Sequence, residues 1–324
     1  MTHVNTYSTL SQEISARLSI AAIVVTHNRL QLLKECIAAL EAQYRKPDEI
    51  IVIDNGSEDG TSEWLLQQTS VTHLRQANMG SSGGQHAGMD LAWRKGHDWF
   101  WCMDDDTIPQ PGALAALIGA PAISLQETGL LASVVRWTDG TIHAMNAPQL
   151  ARATTLPNRF RFDHVQAAKQ LGSLLQIVKD RCVEISAATF VSTLVSRHAV
   201  EEAGLPLKDM FIWGDDTEFT TRVNRRFKMY CVLTSEVVHK TFSNEGPPRR
   251  NIRPDQSLKY CYGVRNTLVG FRSEGASWPI TSFKITAFFS ILVLRAMKAQ
   301  IPWVTLRWAV RGLFFPIQPD KPGA

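Results

Sequence analysis

The apolar positions fall in short dense runs near the start of the chain, with helically spaced stretches between them. Ile20–Val25 is continuous and rich in β-branched residues, which predicts a strand buried on both faces. Arg29–Ala42 carries Leu32, Leu33, Ile37 and Leu40 at helical spacing. Glu49–Ile53 reads as a second strand, ended by the turn signal Asp54-Asn55-Gly56-Ser57. Thr61–Gln68 then reads as a helix, Thr72–Leu74 as a short strand and Gln85–Lys95 as another helix. Trp99–Met103 is a further strand, closed by Asp104-Asp105-Asp106. This order predicts an α/β fold, a mostly parallel sheet with helices on both faces and ligands at the carboxyl ends of its strands. Thr26–Arg29, Asp54–Ser57 and Asp104–Asp106 all fall at that edge.

Residues 111–250 mix helices with strands at Leu130–Arg136, Cys182–Val195 and Met229–Val232, and Gly246–Asn251 reads as a loop. From Gln256 the pattern is helical, and beyond Trp278 it turns basic and aromatic. The expected organisation is an N-terminal segment (1–17), one domain (18–275) and a C-terminal helical extension (276–324). The longest apolar run there, Ile285–Leu294, is flanked by Lys284 and Arg295, too short to predict a membrane span. The first residues lack a basic stretch followed by an apolar one, so the expected compartment is cytoplasmic.

Composition narrows the classes. With 44% apolar and 20% charged residues in 324, wholesale disorder is excluded. The net charge of +4 is concentrated at the end: residues 280–324 carry six Lys or Arg against the single acid Asp320. A uniformly basic nucleic-acid binder is therefore not expected. Five cysteines without a C-x-x-C pair disfavour a zinc ribbon or a disulfide framework.

The strongest chemical signal is Asp104-Asp105-Asp106. On an extended segment Asp104 and Asp106 share a face and Asp105 points away. Like charges so close are unfavourable without a cation between them, and hard oxygen ligands suit Mg2+ or Mn2+ bridging a diphosphate. The plainer alternative is a solvated acidic turn. Asp54 could accept hydrogen bonds from a nucleoside, or simply close an Asx-turn. Asn78–Gly84 reads as a glycine-rich loop before the helix at Gln85, either a phosphate cradle or merely flexible. Gly214-Asp215-Asp216-Thr217-Glu218-Phe219 reads as an acidic helix start, from which one carboxylate could enter the cleft as a general base. Trp213 beside it is a sugar-stacking platform or a buried core residue. His239 is a metal ligand only if Asp104 and Asp106 lie nearby. Arg249, Arg250, Arg253 and Arg265 supply positive charge for an anionic donor, or a solvated basic face.

Taken in order, Val24–Arg29, Asp54–Ser57, Asn78-Met79-Gly80, Asp104–Asp106, Gly214–Phe219 and His239 resemble a family 2 glycosyltransferase of the GT-A fold, over roughly residues 18–270. Within it, the triple Asp, the Trp-Gly-Asp-Asp stretch and the later His look like bacterial galactofuranosyltransferases. The resemblance implies a Rossmann-like nucleotide-binding domain and an inverting, metal-dependent transfer from a UDP-sugar to a glycan or lipid-linked acceptor in cell-surface polysaccharide synthesis. It implies that Arg29 and Asp54 hold the uridine and Asn78 the ribose or diphosphate, with Thr26, Asn28, Gly80, Asp104 and Asp105 also on the donor side. Asp104, Asp106 and His239 would hold the Mn2+ or Mg2+. Asp216 would be the base, with Asp215 an alternative, and Trp213 and Phe242 would face the acceptor. A rhamnosyl- or galactosyltransferase, a nucleotidyltransferase and a non-catalytic sugar binder are the competing readings. The aromatic and basic C-terminal extension predicts a helix lying on the inner face of the cell membrane, or packing on the protein itself.

Overall fold

The structure is a computed structural model that describes residues 18–151, 164–177, 182–244, 252 and 256–324. Arg249, Arg250, Arg253 and the Gly246–Asn251 loop lie outside the described residues, as does the segment 1–17. The fold starts from β1 (Ile20–Thr26), buried along its whole length. Its alternate side chains feed two cores, as the two-residue period of a strand dictates. Ile20, Ala22 and Val24 meet Leu33, Cys36, Ile37 and Leu40 of α1 (Leu30–Glu41). Ala21, Ile23 and Val25 meet Met89 and Ala92 of α3 (Gly80–Arg94) on the other face. Between these elements run β2 (Glu49–Asp54), α2 (Thr61–Leu65) and β3 (Val71–Arg75).

After α3 come β4 (Trp99–Asp104), β5 (Thr107–Pro109), α4 (Ala113–Gly119), β6 (Thr128–Arg136), β7 (Gln149–Leu150) and α5 (His164–Ile177). The order continues through β8 (Cys182–Ala187), β9 (Thr193–Ser196), α6 (Arg197–Ala203), α7 (Asp215–Asn224) and β10 (Lys228–His239). The strands form one sheet in the order β3-β2-β1-β4-β9-β6-β10-β8-β7, with β5 also on β10. The β3-β2-β1-β4 half is parallel, and β10 runs parallel to β6. β9 enters antiparallel between β4 and β6, and β7 and β8 are antiparallel as well.

Several boundaries depart from the pattern reading. The glycine-rich stretch is not a loop: α3 begins at Gly80, five residues early, because Gly84 and Gly88 let the helix press onto β1. A Cβ at Gly84 would lie 2.3 Å from Val25 Cγ1, and one at Gly88 2.3 Å from Ile23 Cγ2. The helix at Thr61 stops at Leu65. The apolar stretch 182–195 is two strands, broken around Ser192, whose φ is 61°.

The C-terminal helices α8 (Ser257–Ser273), α9 (Trp278–Met297) and α10 (Val304–Leu313) share a core of Tyr260, Val264, Leu268, Phe271, Leu292, Ala296 and Ala309. The helix α9, where the sequence predicts no span, has 20 residues and is long and apolar enough to cross a membrane by length and composition. Lys284, inside this helix, is buried with its ammonium against Glu274 and Phe271. The last residues return to the sheet domain, where Leu205 N donates to Asp320 O (2.9 Å) and Lys208 pairs with Asp320 (2.8 Å).

Candidate metal and nucleotide-sugar site

The acidic cluster is built by strand register. Asp104 ends β4 beside Val25 of β1. The chain then turns into β5, which pairs antiparallel with the end of β10 and sets Thr107 opposite His239. Lys240 N donates to Asp106 O (2.8 Å) and fixes the same corner. Residues 133 apart in sequence thereby meet: His239 Nε2 lies 2.8 Å from Asp106 Oδ1. One ligand atom each from Asp104, Asp106 and His239 falls within 4.8 Å of the others. His239 Nδ1 faces Asn146 Oδ1 at 2.9 Å, which makes that nitrogen the N–H donor and leaves Nε2 for a cation. Asn146 in turn donates to Thr189 Oγ1 (2.9 Å). Sequence reading missed Asn146, since nothing local connects it to a histidine 93 residues away.

Asp105 points away from this group although it and Asp106 lie in the turn between β4 and β5, not on an extended segment as expected. It accepts hydrogen bonds from Thr26 Oγ1 (2.8 Å) and Arg29 Nη1 (3.3 Å), and Arg29 also pairs with Asp106 at 2.6 Å. Burial pushes Asp105 up to about 6, partly offset by Arg29. Burial and the carboxylates of Asp106, Asp105 and Asp215 push Asp104 well above the ordinary range. Burial acts on Asp106 too, but His239 and Arg29 outweigh it and hold the group at about 2.

The donor-side residues divide. Asp54 is wholly buried and forms the Asx-turn, accepting from Ser57 N (2.8 Å) and the Ser62 hydroxyl, with Arg75 Nε at 3.9 Å. Arg29 is committed to Asp105 and Asp106, so the two residues expected to hold one uridine are engaged separately. Asn28 has φ 54° and its Oδ1 accepts from Glu58 N (2.7 Å). Asn78 Oδ1 accepts from Gly80 N (2.9 Å) at the start of α3.

A second acidic pair begins α7, and its first member, Asp215, acts on Asp104 at that rim. Asp215 is buried, its Oδ2 has no hydrogen-bond partner among the described residues, and its charge acts on Asp104. Burial and then Asp216 raise Asp215 well above the usual carboxylate range. Asp216 Oδ1 accepts from Thr217 N (2.6 Å), and burial sets this group at about 6. Glu218 is not part of the rim, being ion-paired with Arg222 at 2.9 Å. Trp213 is half-buried against the C-terminal helices, and Phe242 is fully exposed beyond His239. Arg265 does not face the acidic rim: its guanidinium lies over Tyr262, Trp308 and Phe315.

The donor set fits a hard or borderline divalent cation: two carboxylates, an oriented imidazole, and an excess of negative charge with Arg29 as counter-ion.

Comparison with known proteins gives the family and the fold. Residues 21–168 match the family description Glycosyl transferase family 2. The galactofuranosyltransferase GlfT1 of Mycobacterium tuberculosis is 30% identical over 300 residues, covering 89% of this chain and 94% of that one. GlfT1 of Mycolicibacterium smegmatis is 28% identical, covering 76% and 81%. Among solved structures, GalNAc-T7 with UDP, GalNAc and Mn2+ superposes with a TM-score of 0.52 at 14% identity, over 87% of this chain and 58% of that one. S. aureus TarS 1-349 in complex with UDP gives 0.52 at 11% identity, over 85% and 71%.

Proposed function

The chain belongs to glycosyl transferase family 2, and from that premise we propose that it moves galactofuranose from UDP-galactofuranose onto a glycan or lipid-linked acceptor, with inversion at the anomeric carbon. The reading is supported most by the meeting of Asp104, Asp106 and His239 at one rim of the sheet, with Asp215 near enough to act on Asp104. The choice of sugar rests on the GlfT1 relatives.

Asp104, Asp106 and His239 would hold the Mn2+ or Mg2+, which supplies Lewis-acid stabilisation of the diphosphate leaving group. Thr26 and Arg29 fix Asp105 and Asp106, while Asn146 fixes the imidazole, so the ligands are set before the donor arrives. Asp216 is the base: at about 6 it is ionised at neutral pH, yet basic enough to take a proton. The acceptor oxygen attacks C1, its proton passes to Asp216, and the bond from C1 to the phosphate oxygen breaks to release UDP. Burial and the neighbouring Asp216 raise Asp215 well above the usual carboxylate range, and Asp215 in turn raises Asp104. Trp213 and Phe242 flank the acceptor side.

We extend the proposal to the inner membrane surface. Trp278 (76% exposed) and Phe314 (80% exposed), with Ile291, Leu294, Met297 and Trp303, leave α9 and α10 with uncovered apolar side chains beside Lys298, Arg307 and Arg311.

The test is a panel of nucleotide sugars with a galactofuranosyl acceptor and Mn2+, reading released nucleoside diphosphate. UDP-galactofuranose should turn over fastest, and EDTA should abolish release. Faster release from another donor would overturn the sugar assignment, and full activity in EDTA the metal assignment.

A further inference from the structure

The segment that delivers Asp215 and Asp216 is held in a backbone shape it would not adopt alone. Phe211 sits at φ 67° and ψ −67°, the centre of a classic γ-turn, with Ile212 N donating to Met210 O at 2.8 Å. Trp213 has φ 62° and Gly214 φ 90°. Two bulky residues with positive φ, two positions apart, persist only where their surroundings over-determine them.

Those surroundings are on α8. Asn266, 1% exposed, aims its amide nitrogen at Met210 O (2.9 Å), Ile212 O (3.0 Å) and Trp213 O (2.9 Å). Its Oδ1 accepts from Arg265 Nε (2.9 Å). Arg265 Nη2 donates to Asp209 O and Met210 O, each at 2.8 Å. Opposite α8, Phe211 O accepts from Ser82 N (3.2 Å), and a Cβ at Gly80 would come within 2.0 Å of that carbonyl. The turn is thus gripped between α3 and α8, and α7 begins directly after it.

We propose that Asn266, braced by Arg265, is a positioning residue for the transfer reaction. By drawing three carbonyls inward it holds the turn from which α7 starts with Asp215 and Asp216. This rests on the assignment of Asp216 as base, but the grip itself is a statement about backbone shape and can be tested without it. Both side chains act through the turn and touch no substrate.

Asn266→Ser shortens the side chain beyond reach of the three carbonyls while keeping the residue polar. A crystal structure of the full-length variant should show Phe211 and Trp213 leaving positive φ and α7 starting from a shifted position. With UDP-galactofuranose and Mn2+, kcat should fall about 10- to 100-fold, as a misplacement of ~1 Å can produce. The Kd for UDP should stay within about twofold, because Asp104, Asp106 and His239 are untouched, and combination with Asp216→Asn should add little to the loss from Asp216→Asn alone. An unchanged turn, an unchanged kcat, or a loss shared equally by kcat, UDP affinity and melting temperature would overturn the proposal. If Asn266→Ser does not fold, Arg265→Lys decides by the same readings, with an expected loss of about 3- to 10-fold. Full activity in Asp216→Asn would instead remove the base assignment, and the shape of the turn in Asn266→Ser would still judge the grip.

Discussion

Four carboxylates, from Asp104, Asp105, Asp106 and Asp215, crowd one rim with Asp216 next to Asp215, and among the described residues Arg29 is the arginine ion-paired to them. Such an arrangement is poor for stability and apt for chemistry. Asp105 and Asp216, both raised to about 6, hold more protons folded than unfolded. Their contribution is complete below the unfolded value near 4 and is lost as pH rises through 6. The metal-free protein should therefore melt at a higher temperature at pH 5 than at pH 7 in thermal scans with EDTA. Asp106 acts oppositely: its contribution is present at neutral pH and is lost as pH falls through about 2. Saturating Mn2+ should reverse the penalty at pH 7, contributing about 2.7 kcal/mol at a hundredfold excess over Kd. In kinetics, Asp216→Asn should lower kcat about 10²- to 10⁴-fold with little change in UDP affinity, and the wild-type rate should decline below pH 6. Retention of the acidic limb in that variant would assign it to another group. The acids of the ligand trio were legible because they directly follow an apolar strand, but they meet through a turn, since β4 ends at Asp104 and Asp106 lies beyond it. Asn146 and Asn266 were not, since their partners lie 93 and more than 50 residues away and only sheet register and helix packing bring them together.

At the level of elements, the strands β1, β2 and β4 were legible from their apolar runs, because a strand buried on both faces carries no polar alternation. The start of α3 was not. Glycine is read as a loop former, yet here it permits close contact of helix with strand and turn. Gly80 combines φ 69° with a Phe211 carbonyl oxygen 2.0 Å from where a Cβ would stand. Gly80→Ala should accordingly cost about 1–3 kcal/mol in urea unfolding, with a larger loss of turnover than of UDP binding. Equal stability of the variant would mean that the α3–turn contact is looser than described. The split of 182–195 into β8 and β9 escaped detection for a different reason: Ala188, Phe190 and Val191 between them are themselves buried and apolar, so no strongly polar break marks the turn.

For the whole molecule, the sheet domain and the C-terminal helices are not separable pieces. The helix α8 holds the turn before α7, α10 packs on α8 with a Cβ at Gly312 falling 2.5 Å from Arg265 O, and the final residues bind back near α6. Surface substitutions are therefore a better probe of membrane attachment than removal of the helices. Trp278→Ser combined with Trp303→Ser and Phe314→Ser should abolish co-sedimentation with anionic vesicles and leave turnover of a soluble acceptor unchanged. Undiminished sedimentation would place the attachment elsewhere.

The central claim, that Asp104, Asp106 and His239 form a divalent-cation site that receives a nucleoside diphosphate, is tested most directly by titrating the full-length protein with Mn2+ and following free Mn2+ by electron paramagnetic resonance, with and without UDP. One Mn2+ per chain should bind, more tightly in the presence of UDP, and both the binding and its enhancement by UDP should disappear in Asp104→Asn and His239→Ala. Stoichiometric binding that survives both substitutions, or that UDP leaves unaffected, would contradict it.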